Sequence, residues 1–337
     1  MRICTLISSY ENSSSPYRDI DPYPDPSIWL PEHSWSKAFL TKDNVQSKIS
    51  ELARQGFDLF INLCDGEPGE DLVGIEAIQQ LERLGLPFTG TNSQFYANPR
   101  RALKDAYVAA GIGTPHYRFV RTRAEAAKAA AALRLPVIVK PAHGYASVGI
   151  ERDSVVQTRK TLLDRVERTV AEFGEALLEE FIVGREFTLL AAEPIGEDEM
   201  PTVYKSMEIG FPSGESFKHF ELKWVEYNSI RLHPVEDTEL DMRLRELAAR
   251  TFKNIHASGY VRFDIRMDAE GELYVLDCNT NPGLFYPIGQ FGNADLILDA
   301  EPEGHKHFLR HIIASGLHRA QSHLNSSLSR QADESAA

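Results

Sequence analysis

Two runs of alternating apolar and polar residues, 261–267 and 273–279, flank a turn signal at Asp268 to Gly271. Side chains of a β-strand point alternately to its two faces, so this alternation predicts two strands that each bury one face. Because the turn between them is short and contains glycine, the strands are expected to pair as an antiparallel hairpin. We therefore expect an antiparallel sheet that carries charged side chains on its other face.

The charged face of this hairpin brings acidic groups together. Arg262 and Asp264 share a face of the first strand, and Asp277 and Asn279 share a face of the second. In the register that the turn favours, Asp264 lies opposite Asp277, and Arg262 lies opposite Asn279. Like charges at that distance destabilise a sheet unless a cation compensates them, and oxygen-only ligands favour Mg²⁺ or Mn²⁺. The alternative is a solvated face with ordinary surface charges.

The remaining pattern alternates helices with strands, which favours an α/β or α+β fold built in layers. Asn98 is expected to cap a helix that has Pro99 at its first position. The polar, Ser-rich tail from Ala320 to Ala337 is expected to be frayed. Strands are expected at 2–8, 57–63, 137–140 and 176–182, and helices at 75–84, 98–111, 124–133, 158–173 and 236–257.

Composition disfavours several classes of protein. The 36 Lys and Arg residues against 49 Asp and Glu leave a formal charge of −13, which argues against a nucleic-acid coat but allows one cationic pocket. The three cysteines, Cys4, Cys64 and Cys278, lack CxxC spacing, which indicates a reducing compartment and no zinc ribbon. No apolar run is long enough to span a membrane. We expect a cytoplasmic protein with neither nucleic-acid nor membrane partners.

Residues 12–36 form a long segment rich in Ser, Pro, Tyr and Trp. Proline at this density blocks helices and central strands, and loops of this length are uncommon unless they are functional or disordered. Two interpretations stay open. The segment is either a lid with aromatic contacts to a substrate or a mobile surface insertion.

A phosphate site is suggested by the buried strand that ends at Lys140 and opens into the loop 141–149. Such a loop of small residues can present backbone N–H groups and an ammonium group to phosphate oxygens. The alternative is a plain connection between strands. His143 is equally a polar loop residue or a substrate contact.

The segment 177–188 predicts a strand edge that could hold a flat heterocycle. Its Glu179 and Glu186 could accept hydrogen bonds from an amino group or from ribose hydroxyls. Lys223 is a further candidate for phosphate, with an exposed strand lysine as the alternative.

In this order along the chain, the segments resemble the ATP-grasp superfamily, and most closely the D-alanine–D-alanine ligases. The resemblance covers about residues 57–290. Its motifs are Lys140-Pro141 with Ser147-Val148-Gly149-Ile150, Glu179 with Gly184-Arg185-Glu186-Phe187-Thr188, Arg262-Phe263-Asp264, and Asp277-Cys278-Asn279-Thr280-Asn281-Pro282-Gly283.

The resemblance implies an α/β fold of the α+β ATP-grasp type, with a Rossmann-like pre-ATP-grasp domain before a two-lobed ATP-grasp domain. It also suggests a homodimer. The implied divisions are 1–96 for the N-terminal domain with its insertion 12–36, 97–183 for the central lobe, 184–318 for the C-terminal lobe with the reaction centre, and 319–337 for the tail.

The resemblance further implies an ATP-dependent ligase that forms C–N bonds between small-molecule carboxylate and amine substrates. ATP would phosphorylate the carboxylate, and the amine would attack the acyl phosphate. Two Mg²⁺ ions, with Mn²⁺ as an alternative, would be held by Asp264, Asp277 and Asn279, while Arg262, the Gly283 N–H and Lys223 would act in catalysis. The nucleotide contacts would be Arg100, Lys140, Ser147, Glu179, Phe181, Ile182, Glu186 and Lys223.

Departures from the family pattern lie where the family binds its amino acids. Ser8-Ser9-Tyr10-Glu11 replaces a Gly-Gly-x-Ser-x-Glu signature, and Asp65 replaces a histidine. Ala146 replaces a serine, Trp224 replaces a tyrosine, and the serine for the second alanine falls at Ile288. The candidates for substrate contact are Glu11, His143, Tyr145, Trp224 and Asn281.

These departures predict a ligase whose substrate is not D-alanine but something bulkier or more apolar. One alternative is an imine-forming condensation, as in the ligase-like enzymes of mycosporine biosynthesis. Two others are an authentic D-alanine–D-alanine ligase and a non-catalytic ATP-binding protein.

Overall fold

A computed structural model shows three β-sheets with helices packed against them. It describes residues 1–11, 13, 15, 18, 21–67, 71–144, 147–196, 200–224, 226 and 229–336, without the side chains of 223, 224 and 323–336. Across those ranges, no helix combines the length and the apolar character that crossing a membrane requires.

The first sheet is parallel and belongs to the N-terminal part of the chain. Its elements are β1 (Arg2–Ser8), β2 (Ser34–Leu40), α1 (Val45–Ala53), β3 (Leu59–Asn62) and α2 (Ile75–Arg83). The strand order is β2-β1-β3, with α1 as the crossover between β2 and β3. Neither β2 nor α1 is predicted from the sequence. An edge strand with mostly exposed side chains, such as β2, has no apolar run to reveal it.

The second sheet is antiparallel and has the order β4-β7-β5-β6. The helices and strands expected in this part are confirmed, but the predicted cap at Asn98 is wrong. Pro99 has extended backbone angles and is itself the N-cap, so the helix begins one residue later than expected. The elements are α3 (Ser93–Tyr96), α4 (Arg100–Ala109), β4 (Tyr117–Val120), α5 (Arg123–Ala132), β5 (Val137–Pro141), β6 (Val155–Val156), α6 (Arg159–Phe173) and β7 (Ala176–Glu180).

The third sheet contains the predicted hairpin. Its elements are β8 (Arg185–Ala192), β9 (Thr202–Val203), β10 (Met207–Gly210), α7 (Phe220–Trp224), β11 (Arg231–Pro234), α8 (Thr238–Asn254), β12 (Tyr260–Met267), β13 (Leu273–Thr280), α9 (Asn293–Asp299) and α10 (Gly304–Ala336). The order is β11-β10-β8-β12-β13, with β9 paired to β8. The register is confirmed, because Asp264 pairs with Asp277 and Arg262 pairs with Asn279.

The alternative of an exposed strand lysine at Lys223 is wrong. Lys223 lies in α7, where the His219 ring accepts the Leu222 N–H at 3.2 Å and so caps a helical turn. The tail belongs to α10, which continues to Ala336, and its fraying stays a prediction. The divisions at 96, 183 and 318 stay predictions.

One apolar core joins the first and third sheets. It contains Ile3 of β1 and Leu59 of β3 together with Leu190 of β8, Tyr260 of β12 and Phe308 of α10, all buried. The carboxyl ends of β1 and β3 are thereby held beside the end of β13. This arrangement places the N-terminal sheet next to the charged hairpin.

Two glycines let the chain segments at this junction approach closely. Gly259 has φ +66°, and a Cβ there would lie 2.2 Å from the Gly90 carbonyl group. The Thr91 N–H then donates to Asn281 Oδ1 at 3.1 Å, and the Asn92 N–H donates to Ser258 Oγ at 2.8 Å. These bonds depend on backbone contact that only glycine permits.

We expect Gly259→Ala to destabilise the protein more than Gly111→Ala. Both glycines have a left-handed backbone, which costs alanine about 1–2 kcal/mol, but no atom lies within 4 Å of the added Cβ at Gly111. Displacing the Gly90 backbone should add about 1–3 kcal/mol of overpacking. Urea unfolding of both variants measures the difference, and equal losses would contradict the close approach.

Candidate active site

Asp264 lies at the centre of the charged face of the β12–β13 hairpin. Arg262 donates to both of its carboxylate oxygens at 3.2 Å, Thr188 donates at 2.8 Å, and Asn279 Nδ2 donates at 3.1 Å. Burial opposes its charge, but Arg262 and Lys218 outweigh burial and hold the pKa of Asp264 well below its usual range. Asp264 is therefore ionised at neutral pH.

The second carboxylate, Asp277, meets two cations from other elements. Arg100 Nε, at the start of α4, lies 3.2 Å from Asp277 Oδ1, and Lys140 Nζ lies 3.8 Å from Oδ2. Arg100 also donates to the carbonyl groups of Pro141 and Gly144, both at 3.0 Å. One guanidinium group thus connects α4, the loop after β5, and β13.

Glu179 lies between two buried lysines. Its carboxylate oxygens lie 2.6 Å from Lys104 Nζ and 2.6 Å from Lys140 Nζ, and Lys104 and Glu179 are each only 1% exposed. Burial alone would raise the pKa of Glu179, but the two ammonium groups outweigh it and hold the pKa at about 2. Burial lowers the pKa of Lys104, whereas Glu179 and Asp277 overcome burial and raise the pKa of Lys140. The Glu179 oxygens are thus already engaged by lysines.

The loop after Lys140 curves through a left-handed backbone. Gly144, Ser147 and Gly149 have φ values of 102°, 64° and 70°. The Ser147 hydroxyl donates to the Lys218 carbonyl at 3.1 Å, so the loop contacts the segment before α7. His143 is 72% exposed, with Nε2 3.8 Å from Glu175. Tyr145, another predicted substrate contact, lies outside the described residues.

The predicted adenine edge is occupied by Arg266, which belongs to the run 261–267 and for which the sequence predicts no role. Its guanidinium group lies 2.9 Å from Glu186 and 4.4 Å from the centre of the Phe181 ring, and it donates to the Ile182 carbonyl at 2.6 Å. The Phe181 N–H donates to the Pro136 carbonyl at 2.8 Å. These groups at 181, 182 and 186 therefore have partners within the protein.

Lys218 is a cation that the sequence analysis missed. Its Nζ is buried and makes no hydrogen bond to the part of the chain that the structure describes, and it lies 3.7 Å from Glu186. The predicted phosphate residue Lys223 follows five positions later, but its side chain and that of Trp224 are outside the description. The only sequence signal for Lys218 is its proximity to Lys223 along the chain.

A narrow recess lies between the N-terminal sheet and the end of β13. It is lined by Ser8, Tyr10, Asp65 and Tyr260 and by residues of the segments 21–24 and 281–286. We call it the acidic recess. The substrate candidate Asn281 lines it, whereas the candidate Glu11 is exposed and lies outside the lining.

The charged cleft and its neighbouring recess occur in a chain with clear relatives. A family model described as "D-ala D-ala ligase C-terminus" matches residues 107–291. A D-alanine–D-alanine ligase of Neisseria meningitidis serogroup A is 33% identical over 248 residues, covering 72% of this chain and 76% of that protein. The chain belongs to the D-alanine–D-alanine ligase family. A second ligase of this name, from Cupriavidus necator, is 28% identical over 70% of each chain.

Solved structures show the same fold. The D-alanine–D-alanine ligase of Bacillus anthracis has a TM-score of 0.68 at 20% identity, covering 96% of this chain and 99% of that one. The VanG D-Ala:D-Ser ligase of Enterococcus faecalis has a TM-score of 0.67 at 17% identity, with coverages of 94% and 99%. The expected ATP-grasp fold is confirmed, and this family member is an ATP-dependent ligase that forms C–N bonds.

We expect Glu179→Gln to lower the free energy of unfolding of this ligase by about 3–5 kcal/mol at pH 7, because it leaves two buried lysines without their carboxylate. The native pKa of about 2 lies below the ordinary 4.5. The stabilisation is therefore complete above the ordinary value and is lost as the pH falls through the native pKa. Urea unfolding between about pH 7 and pH 2 measures the free energy of unfolding of the variant and of wild type. The difference between the two should shrink as the pH falls below the ordinary pKa of a glutamate.

Glu180→Gln is the matched control on the same strand. Glu180 pairs with Arg134, whose side chain is 80% exposed, and such a pair contributes about 1 kcal/mol or less. Equal losses in the two variants would mean that the Glu179 contacts are not the stabilising ones.

Proposed function

We propose that this ligase uses ATP to phosphorylate a substrate carboxylate, that it joins the acyl group to an amine, and that its substrates are not two D-alanines. The observation that carries the proposal is the convergence of Arg100, Lys140 and Arg262 on the paired carboxylates Asp264 and Asp277. Cations held in a largely buried cleft attract polyphosphate, because their orientation is fixed before the anion arrives.

Arg100, Lys140 and the loop of Ser147 are the proposed phosphate contacts. Arg100 bonds the carbonyl groups at both ends of the loop's first turn, so its guanidinium is already positioned at the cleft. The backbone is left-handed at Gly144, Ser147 and Gly149, and left-handed residues in a loop can direct N–H groups toward an anion. Lys218 adds positive charge beside Asp264, and Lys223 keeps its predicted phosphate and catalytic role.

Asp264, Asp277 and Asn279 would hold Mg²⁺, with Mn²⁺ as the alternative. The donor set fits a hard cation, because it offers only oxygen ligands, and the two carboxylates occupy directly paired strand positions. Asp264 is held ionised, which a metal ligand requires. The bound metal would neutralise phosphate charge and orient ATP. The number of ions, expected to be two, stays a prediction.

The proposed reaction has two steps. A carboxylate oxygen of the substrate attacks the γ-phosphorus, and the bond to ADP breaks. The amine nitrogen then attacks the acyl carbon, the C–O bond to phosphate breaks, and the amine loses a proton. Arg262 and the Gly283 N–H would stabilise the negative oxygen that forms at that carbon. A Cβ at position 283 would lie 2.5 Å from the Tyr286 hydroxyl, so only glycine lets the Tyr286 ring pack against the backbone at this wall of the recess.

The proposal of a different substrate is supported at three positions. Ile288, where the family carries serine, is 74% exposed and has no hydroxyl group to offer a second alanine. Asp65 places a carboxylate in the recess at the position of a family histidine. Tyr10 lies within the altered first-strand signature and also lines the recess. These changes alter the charge and polarity around the substrate while leaving Arg262, Asp264, Asp277 and Asn279 in place.

The proposed function is tested by Mg-ATP-dependent phosphate release across D- and L-amino acids and small acids, with product masses. A product of two substrates minus water supports the ligase and names its substrates. A D-alanyl-D-alanine product would overturn the substrate proposal. An imine product would replace amide formation by condensation at a carbonyl group, and ATP binding without any phosphate release would contradict turnover.

We expect Asp277→Asn to lower kcat on the order of 100-fold or more, because the proposed metal site loses a charged ligand. Its unfolding midpoint should stay close to that of wild type, since the Asp277 side chain is 29% exposed. Glu270→Gln, an exposed position in the turn of the same hairpin, is the control. The rate of Mg-ATP-dependent phosphate release, measured with the substrate pair that the panel identifies, gives kcat for Asp277→Asn and for Glu270→Gln. Near-wild-type turnover in Asp277→Asn would refute the metal assignment.

A further inference from the structure

A buried carboxylate on α9 holds the chain just beyond Gly283, the proposed oxyanion donor. Asp295 is fully buried, and its two oxygens accept the Phe285 N–H at 2.7 Å and the Tyr286 N–H at 3.3 Å. Phe285 has φ 62°, a left-handed backbone that residues other than glycine rarely adopt. Such a conformation persists only where the surrounding structure holds it, and Asp295 supplies part of that support.

The Tyr286 ring connects this support to Gly283. A Cβ on Gly283 would lie 2.5 Å from the Tyr286 hydroxyl and 2.9 Å from Cε2 of its ring. A Cβ on Gly292 would also meet the ring, at 3.2 Å. The ring is therefore packed between two glycine backbones, so a shift of Tyr286 would shift the Gly283 N–H.

His305 holds the Asp295 carboxylate from the side of α10. It is 2% exposed, and its Nε2 lies 3.1 Å from Asp295 Oδ1. Because both carboxylate oxygens already accept backbone N–H groups and a carboxylate has no hydrogen to donate, the ring nitrogen is the donor. Of the hydrogen bonds to Asp295 within the described chain, this one alone comes from a side chain. A substitution at position 305 can therefore remove it.

The insertion 12–36 packs against the same pair of residues. The Trp29 ring stacks on the His305 ring, with 4.2 Å between the ring centres and 8° between their planes. The Asp25 N–H donates to the Phe285 carbonyl group at 2.7 Å. Phe285 is thus held by α9 through its N–H group and by the insertion through its carbonyl group.

We propose that Asp295 and His305 are positioning residues for acyl transfer, which hold the segment 283–286 so that the Gly283 N–H meets the oxygen that becomes negative. This rests on the proposed function, which assigns that N–H to the reaction. A donor stabilises a transition state best when its position is fixed before the charge develops. Both side chains are buried and neither lines the acidic recess, so they act through the backbone that they hold.

The first test removes the donor and keeps the ring. His305→Phe preserves the stack on Trp29 but takes the hydrogen bond from Asp295, and His305→Gln returns a side-chain N–H group. In His305→Phe, amide hydrogen exchange in the segment 283–286 should be about 2- to 10-fold faster, the factor that corresponds to one hydrogen bond. Exchange in His305→Gln should lie closer to wild type. Neither measurement requires a substrate.

The second test measures phosphate release with the substrate pair that the panel identifies. His305→Phe should lower kcat on the order of 10- to 100-fold and leave the KM for ATP near its wild-type value, because a displaced oxyanion donor is missed only in the transition state. His305→Gln should recover most of the loss. Mg-ADP should bind the same fraction of each protein, which separates a lower kcat from a loss of folded enzyme.

His311→Phe is the matched control on the same helix. The His311 ring donates to the Glu193 carbonyl group at 2.7 Å and not to Asp295. The control should lower the unfolding midpoint, as loss of a hydrogen bond does, and leave both kcat and the exchange of the segment 283–286 unchanged. If His305→Phe does not fold, Trp29→Leu removes the ring that stacks on His305 and should change kcat and exchange in the same directions.

The proposal is overturned if exchange in the segment 283–286 or kcat is unchanged in His305→Phe, or if His311→Phe loses as much kcat. Its failure differs from a failure of the proposed function. Full turnover in His305→Phe would refute the positioning role and leave the ligase chemistry standing. A wild-type protein that releases no phosphate with any substrate would refute the ligase chemistry and acyl transfer with it, while faster exchange in His305→Phe would still show that the pair holds the segment.

Discussion

The candidate site depends on Glu179. Its two oxygens each contact an ammonium group, one from Lys104 on α4 and one from Lys140 on β5. Because all three groups are nearly or fully buried, removing any one charge would leave another uncompensated in the interior. Lys104 also donates to the Leu276 carbonyl on β13 at 2.6 Å. Lys104, which helps to balance the buried charges, therefore also joins the second sheet to the hairpin that bears the paired aspartates.

This balance of charge keeps cations in fixed positions in the cleft, where an anion could bind. Glu179 compensates one of the two lysine charges, and Asp277 is shared between Lys140 and Arg100. The carboxylates raise the pKa of Lys140, so it stays protonated in spite of its burial. A phosphate entering the cleft would meet cations whose desolvation has already been offset by the folded protein. On the proposed function, Glu179 would act on phosphate through the lysines that it positions, and the direct nucleotide contact that the family resemblance implies stays a prediction.

Local periodicity carried enough information to predict the hairpin, including the pairing of Asp264 with Asp277, because strand alternation and a short turn together determine register. Order and spacing of motifs were enough for the family. Long-range contacts were not predictable. The pairing of Arg266 with Glu186 joins residues that are 80 positions apart, and an alternating pattern shows only that Arg266 shares a face with Asp264. Edge strand β2 was missed for a related reason, since its neighbour β1 supplies the order that its own exposed residues do not.

The charged cleft around the paired aspartates and the acidic recess come from different parts of the chain, but they share one continuous segment. Residues from Asp277 to Gly283 run from the charged hairpin into the wall of the recess, and the Thr91 N–H holds Asn281 there. On the proposed function, the reacting carboxylate would lie where the two meet, whatever the rest of the substrate is. The segment 21–24, by contrast, contacts only the recess side. On that proposal, sequence change in the insertion would alter which substrate is bound without disturbing the cations that Glu179 and Asp277 hold in place.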